Sequence, residues 1–253
     1  MNGKYKGCLK IDDLTYEQLK EKMAQIALEN SLQEQTVNVV SARTLKPVES
    51  IGNPERKDFP LVKGREVMVE ADFHGAKGQA FTDMPGEFQG TVGEILEMDL
   101  ENNLERAVFI ASLNAVLRHL QCLECTIHCK DEEPEECAQC LVDYVRKEFG
   151  SPKIAFIGLQ PAMVDHLARN FNMRVTDMDP DNQGQTKYGI PIEPVDQTSD
   201  VIQWGDVVFA TGSTLVNNTY RSLIQDRPLV FYGVTVSGIA YLTDCPQYCY
   251  NGH

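Results

Sequence analysis

Past residue 150 the chain falls into a strand, loop, helix pattern. KIAFIGLQPAMVDHLARN (153–170) and DVVFATGSTLVNNTYRSLI (206–224) each read as an apolar run, a loop of small or polar residues and a helix. MRVTDMDP (173–180) and RPLVFYGVTVSGIAYL (227–242) supply further strands. Short apolar runs bounded by turn residues are strands buried on both faces, and alternation with helices makes their sheet mostly parallel. This is the pattern of a nucleotide-binding-like fold, whose strands, when the sheet is parallel, share one carboxyl edge. Gly158–Gln160, Asp177–Asp179, Thr211–Thr214 and Gly233–Thr235 then meet on that edge, where open α/β sheets bind ligands.

These loops do not make a conventional dinucleotide site. The first turn has one glycine, Gly158, in place of GxGxxG, and Pro161 suits the first position of a helix. Asp177 and Asp179 lie about 20 residues past that glycine, where such folds hold a ribose hydroxyl. The alternative is a capped, solvated turn. Thr211, Gly212, Ser213 and Thr214 are small and polar, at a strand end entering a helix, a place for an anionic or polar ligand; Asn217 continues the polar run. Caps and tight turns use the same residue types.

Residues 122–140, CLECTIHCKDEEPEECAQC, hold five of the eight cysteines. Cys122 and Cys125 form one CxxC, Cys137 and Cys140 another, and Cys129 stands between them beside His128. Two CxxC pairs at this spacing can close a tetrathiolate zinc site. The first three cysteines with Cys137 or Cys140 can instead hold an iron–sulfur cluster. A third arrangement is an open site that chelates another soft metal in transit, since thiolates select such ions. The acidic residues between the pairs attract cations but also raise thiol pKa values. The plain alternative is free thiols, with Cys137 and Cys140 at the start of a helix.

Residues 1–121 read as a small α+β domain, and 122–253 as the Rossmann-like domain with its cysteine-rich junction. Residues 14–30 are an amphipathic helix with Thr15 and Gln18 as a capping box. Residues 36–45 and 64–73 are strands, the latter with Val67, Val69 and Ala71 on one face and Glu66, Met68 and Glu70 on the other. The proline-rich stretch between them reads as a loop. HGAKGQAFTD (74–83) reads as a glycine-rich turn whose free N–H groups, with Lys77, can meet an anion. The helix NLERAVFIASLNAVLRHL carries a stripe of Ala107, Ile110, Ala111, Asn114 and Leu117; Asn114 on it needs a partner if buried.

With 253 residues the chain can bury two modest cores. A net charge of −14 argues against a nucleic-acid partner. There is no apolar run of about eighteen residues and no signal-like N-terminus, so a cytoplasmic protein without a membrane partner is expected. In that reducing setting clustered cysteines point to metal or redox chemistry. Cys245, Cys249 and His253 can form a second metal site or a frayed tail, and the tail is the expectation.

HGAKGQAFTD, LNAVLRHL, TIHCKDEEPEECA, TDMDPDNQG, ATGSTLVNNT and FYGVTVSGIAYL together resemble the putative heavy-metal chelation family. The resemblance implies an enolase N-terminal-like α+β domain followed by a Rossmann-like domain, with a binding site between them. It also implies a role in metal handling or metallo-cofactor metabolism. Together with the cysteine spacing it leads to a metal-handling protein with Cys122, Cys125, Cys129, Cys137 and Cys140 as thiolate ligands. A small polar or anionic ligand would sit in the cleft, against Lys77, Asp83, Asp177, Asp179, Thr211, Gly212, Ser213, Thr214 and Asn217. The rival expectation is an enzyme of cofactor or nucleotide-related metabolism. There Asp177 and Asp179 bind a ribose or act as acid and base, Lys77 and Asp83 serve catalysis, and the cysteines hold a structural zinc or an iron–sulfur cluster.

Overall fold

The computed structural model describes residues 4–32, 39–64 and 66–253. The first helix, α1 (Tyr16–Glu29), starts at the expected capping box: the Thr15 hydroxyl accepts from the Gln18 N–H, and the Gln18 side chain accepts from the Thr15 N–H. Leu19, Met23, Ile26 and Ala27 form its buried face. Four strands, β1 (Val39–Leu45), β2 (Val67–Phe73), β3 (Ala76–Thr82) and β4 (Glu87–Thr91), make an antiparallel sheet in the order β3-β2-β1-β4. Of the first expected strand, residues 36–38 lie outside the described residues.

Two expectations for this region are corrected. The glycine-rich turn over 74–83 is mostly strand. His74 and Gly75, with φ of 54° and 82°, form a two-residue hairpin loop of the twist that joins antiparallel strands. Gly78 sits inside β3, where a β-carbon would lie 2.3 Å from the Ala111 carbonyl oxygen. Its glycine thus serves close packing. The proline-rich stretch is not simply a loop. It contains α2 (Pro47–Ile51) and α3 (Pro60–Lys63), each opened by a proline whose missing N–H has no helical partner to lose.

After α4 (Val92–Glu97) comes α5 (Asn103–His119), in which every residue from Arg106 to Leu117 is buried. A helix buried all round must lie between layers. One side of α5 packs on β2 and β3, and others meet the second half of the chain. That half runs α6 (Glu133–Phe149), β5 (Ile154–Ile157), α7 (Pro161–Ala168), β6 (Met173–Asp177), β7 (Thr186–Lys187), β8 (Ile190–Pro194), α8 (Thr198–Trp204), β9 (Val207–Thr211), α9 (Ser213–Val216), β10 (Leu229–Tyr232), α10 (Ser237–Thr243) and β11 (Gln247–Tyr248). Its sheet has the order β11-β10-β9-β5-β6-β8-β7 and is parallel except for the β7–β8 pair. The fold is thus mixed α/β with two sheets, one largely parallel. Chain direction across that sheet reverses between β5 and β9, which creates a switch-point crevice. Among the described residues no helix is long and apolar enough to cross a membrane.

Alternate residues of the parallel strands enter two cores. Ala155, Ile157, Val208, Ala210 and Phe231 join the one that contains α5. Ile154, Phe156, Val207, Phe209 and Val230 join the one that contains α6 and α7. Leu45, Ile51, Phe59, Leu61 and Met68 reach this second core from the first half of the chain. Both cores therefore draw on both halves.

Asn114 marks the centre of the contact. Its side-chain amide donates to the Gln79 and Val234 carbonyl oxygens at 3.1 and 3.2 Å, and its oxygen accepts from the Gly238 N–H at 2.7 Å. The buried amide is fully used, as the sequence requires of it. Asn114→Leu would keep similar bulk and leave the Gly238 N–H without its acceptor. An orphaned buried group costs about 1–3 kcal/mol, so the urea unfolding free energy of this variant should fall by about 3 kcal/mol. A loss under about 0.5 kcal/mol would show that the clamp is dispensable.

Candidate functional site

The carboxyl edge of the parallel sheet faces a cavity of about 400 Å³. Gly158–Gln160 after β5, Asp177–Pro180 after β6, Thr211 and Gly212 after β9, and Tyr232–Thr235 after β10 all line it. The four loops expected on one edge therefore meet in one space. The approach of β5 to β9 needs a glycine: Gly158 has φ +90°, and a β-carbon there would lie 2.6 Å from Thr211 Cγ2. The facing wall comes from the first half of the chain, with Ile51, Phe59, Leu61, Glu66, Phe81 and Asp83. Arg56 ties that wall to the Rossmann-like unit. Its guanidinium contacts Asp165 at 2.7 Å and Glu135 at 3.1 Å.

One end of the cavity is acidic. Glu66, Asp83, Asp177 and Asp179 line it, and no lysine or arginine does among the described residues. Asp177 accepts from the Leu159 N–H at 2.7 Å, from Asn182 Nδ2 at 2.8 Å and from the Asp179 N–H at 3.0 Å, so its carboxylate braces two loops. Asp179 accepts from the Asp181 N–H. Asp83 and Asn217 both accept from Asn103 Nδ2, at 2.8 and 3.3 Å. Glu66 is half-buried and makes no hydrogen bond or ion pair with any described residue. Burial, then the carboxylates of Asp177, Asp179 and Asp83, push its pKa up to about 7.

The other end carries sulfur. Cys129 from the junction, Cys137 from α6 and Cys249 after β11 line it together with His128. Burial raises the pKa of all three thiols, and proximity adds to it. Cys129 feels Cys137 and Cys249, and Cys249 is pushed up to about 12 by burial and then by Cys137 and Cys125. All three are protonated near neutrality. Burial pulls His128 down to about 4, which leaves a neutral imidazole. Its Nδ1 is buried without a hydrogen-bond partner among the described residues. β11 and β6 are separated by β10, β9 and β5. Cys249 after β11 and Asp177 at the end of β6 therefore stand at different places along the carboxyl edge.

The junction is held by main-chain bonds. The Thr126 carbonyl oxygen accepts from the Gln79 N–H at 3.0 Å, the His128 N–H donates to Gln79 Oε1 at 2.7 Å, and Ser237 Oγ donates to the Cys125 carbonyl oxygen at 2.6 Å. The tail is bound to it, contrary to the frayed end expected from sequence. The Thr126 and Ile127 N–H groups donate to the His253 main-chain oxygen at 2.8 and 2.7 Å, and the His253 N–H returns a bond to Ile127 at 3.0 Å. Gly252 lies where a β-carbon would be 2.6 Å from Cys249 Sγ and 3.2 Å from Cys125 Cβ, so a glycine there lets the tail fold over the sulfurs.

The structure divides the residues named from sequence. Asp83, Asp177, Asp179, Thr211, Gly212, Asn217, Cys129 and Cys137 line the cavity. Lys77 does not; it lies on β3 and pairs with Glu70 at 2.8 Å. Ser213 and Thr214 turn back on their own loop, Ser213 to Thr211 Oγ1 at 2.9 Å and Thr214 to the Thr211 carbonyl oxygen at 2.7 Å. Cys122 is 2% exposed within the first core, because its N–H closes the end of α5 onto Leu117. Cys140 faces Tyr250, and Cys125 is outside the cavity lining. The two CxxC pairs thus point to different places. Among the described residues no group of three or more His, Cys, Asp or Glu side chains is placed to hold one metal ion. Glu66 and the apolar wall of Ile51, Phe59 and Leu61 are not among the site residues read from sequence, and Cys249 is there assigned to the tail in preference to a second metal site. The available signal for Glu66 was its register with Met68, on the strand face turned from the first core.

The Glu66 carboxyl gives a test of this electrostatic arrangement. It titrates near 4.5 when unfolded and near 7 when folded, so the folded state holds the proton more tightly. Its contribution to stability is complete below pH 4.5 and is lost as pH rises through 7. Glu66→Gln should therefore gain on the parent by roughly 2–4 kcal/mol between pH 4.5 and pH 8 in chemical denaturation. Parallel pH profiles for the two proteins would place this carboxyl in water.

Comparison with known proteins gives the following. No curated protein matches the chain. A structure of a protein of unknown function from Pyrococcus horikoshii is similar, with 14% identity, a TM-score of 0.51, and coverage of 87% of this chain and 78% of that one. A second, of unknown function from Desulfitobacterium hafniense, has 14% identity, a TM-score of 0.49, and coverage of 70% and 72%. Both come from the family whose model, described as "Putative heavy-metal chelation", matches residues 141–246 of this chain. That segment, from within α6 to the residue before β11, is where the chain is similar to the putative heavy-metal chelation family.

Proposed function

We propose that the chain handles a soft or borderline metal ion, which it takes at the thiol end of the cavity. The observation that carries this is the donor set: three thiols, an imidazole with an unpartnered nitrogen, and four carboxylates, with no lysine or arginine lining the cavity among the described residues. Thiolates and imidazole select soft and borderline ions, and a field of carboxylates concentrates cations. The family description agrees with this chemistry. On this reading Cys129, Cys137, Cys249 and His128 are the donors. Glu66, Asp83, Asp177 and Asp179 set the potential, and Thr211, Gly212 and Asn217 shape the floor. The ligand is then cationic, where the loops alone pointed to a polar or anionic one. Cys122, Cys125, Cys140, Lys77, Ser213 and Thr214 serve the fold around it.

The donor set is open. No three donors converge among the described residues, so an ion takes one or two protein ligands at the observed geometry and the rest from elsewhere. Such a site suits passage of an ion better than a closed structural zinc. Binding must also release thiol protons.

Anaerobic titration with cadmium or zinc tests the proposal. Cys129→Ser with Cys137→Ser should weaken binding at least tenfold, while Cys122→Ser should leave it unchanged. Apparent affinity of the parent should rise about tenfold per pH unit for each thiol deprotonated, because one proton leaves with each. Equal affinity in the double variant and the parent would overturn the donor assignment.

A further inference from the structure

The cavity is far larger than an ion needs. A bare cation occupies a few cubic ångströms beyond its donor atoms, whereas this space is about 400 Å³. That is the lower part of the range of pockets that hold small organic molecules. Its lining carries both the sulfur donors and the carboxylates. The lining also has apolar walls, Phe59, Leu61, Phe81, Met163 and Tyr232 among them. Donors at the sulfur end do not close on one point. At the far end Glu66 has no partner among the described residues. An ion alone would answer only one of these features.

We propose that the cavity takes the metal as a complex with a small organic chelator that carries net positive charge. The chelator's body lies along the apolar walls. It supplies the coordination positions that the protein leaves open. The metal faces the Cys129, Cys137 and Cys249 sulfurs and His128, and positive charge on the complex faces Glu66 and Asp83. The inference rests on the metal-handling reading above and adds the form in which the metal arrives.

Charge, geometry and metal can be separated with nickel. Three species are titrated calorimetrically into the full chain without oxygen: Ni²⁺ alone, the 1:1 nickel complex of a phenanthroline that bears a quaternary ammonium group, and anionic nickel–nitrilotriacetate. Both complexes keep open positions for protein ligands. Nickel–thiolate absorption serves as a second readout. The expected result is that the phenanthroline complex binds at least tenfold more tightly than either Ni²⁺ or nickel–nitrilotriacetate, with thiolate absorption. Glu66→Gln with Asp83→Asn should weaken binding of both this complex and Ni²⁺ alone, the complex by at least ten times more, because only the complex brings positive charge to that end. Ni²⁺ binding as tightly as the complex would overturn this inference and leave the metal-handling reading in place. Equal binding of the anionic complex would overturn it as well. If no nickel species binds, and cadmium and zinc do not bind either, the metal-handling reading fails and this inference with it.

Discussion

The architecture turns on the buried amide of Asn114. It belongs to α5, which both halves of the chain use as a common layer. Its bonds run to Gln79 on β3, to Val234 after β10 and to Gly238 at the start of α10. Two glycines make the approach possible. A β-carbon on Gly78 would collide with the α5 main chain at 2.3 Å, and one on Gly238 would lie 2.7 Å from Asn114 Oδ1. The consequence reaches the cavity. Gln79 also orients the junction through the His128 N–H, and the Phe81 N–H is bonded to Thr235 Oγ1 at 3.0 Å. One hydrogen-bonded centre thus sets the spacing between the strand that carries Phe81 and the loop after β10. Phe81 and Thr235 both line the cavity.

The charge distribution follows from what neighbouring side chains do with the cations. Arg106 is buried close to the acidic end, yet it is spent on the Val216 and Leu100 carbonyl oxygens, at 2.5 and 2.7 Å, and on Asn103 Oδ1 at 2.5 Å. With its oxygen held by Arg106, Asn103 turns its amide nitrogen to Asp83 and Asn217. Lys77 is drawn to Glu70, and Arg56 to Asp165 and Glu135. Like charges facing one space raise each other's proton affinity. Glu66 records that tension, since it has no brace of the kind that steadies Asp177.

The parallel sheet and its functional edge were legible in the sequence because their signals are local. Apolar runs, the position of Pro161 and small residues at strand ends each act within a few residues, and together they place four loops on one edge. The capping box at Thr15 and the need of Asn114 for partners were legible for the same reason. The cysteines show where local reading stops. CxxC spacing states which sulfurs are near in the chain, but Cys122 is turned into a core by the end of α5, and Cys140 lies half-exposed on α6. Cys249 joins Cys129 and Cys137 through a tail whose bonds to residues 126 and 127 are long-range. Lys77 misled for a related reason. Its glycines resemble an anion-binding turn, but Gly75 serves a hairpin and Gly78 serves helix packing.

The protonation of the thiols bears on how such a site would exchange its cargo. A closed tetrathiolate holds its ion by full deprotonation and slow ligand loss. Here burial keeps Cys129, Cys137 and Cys249 protonated, and the donors do not converge. Binding must then work against proton affinity, which lowers net affinity and makes the ion easier to release. The carboxylates act in the opposite direction, since an entering cation relieves their mutual repulsion. On the proposed reading, affinity comes from the field of the whole pocket together with the sulfurs, and the sulfurs also set the choice of ion. Such a pocket, on that reading, admits ions by charge and discriminates among them by ligand type, an order that lets a bound ion be released.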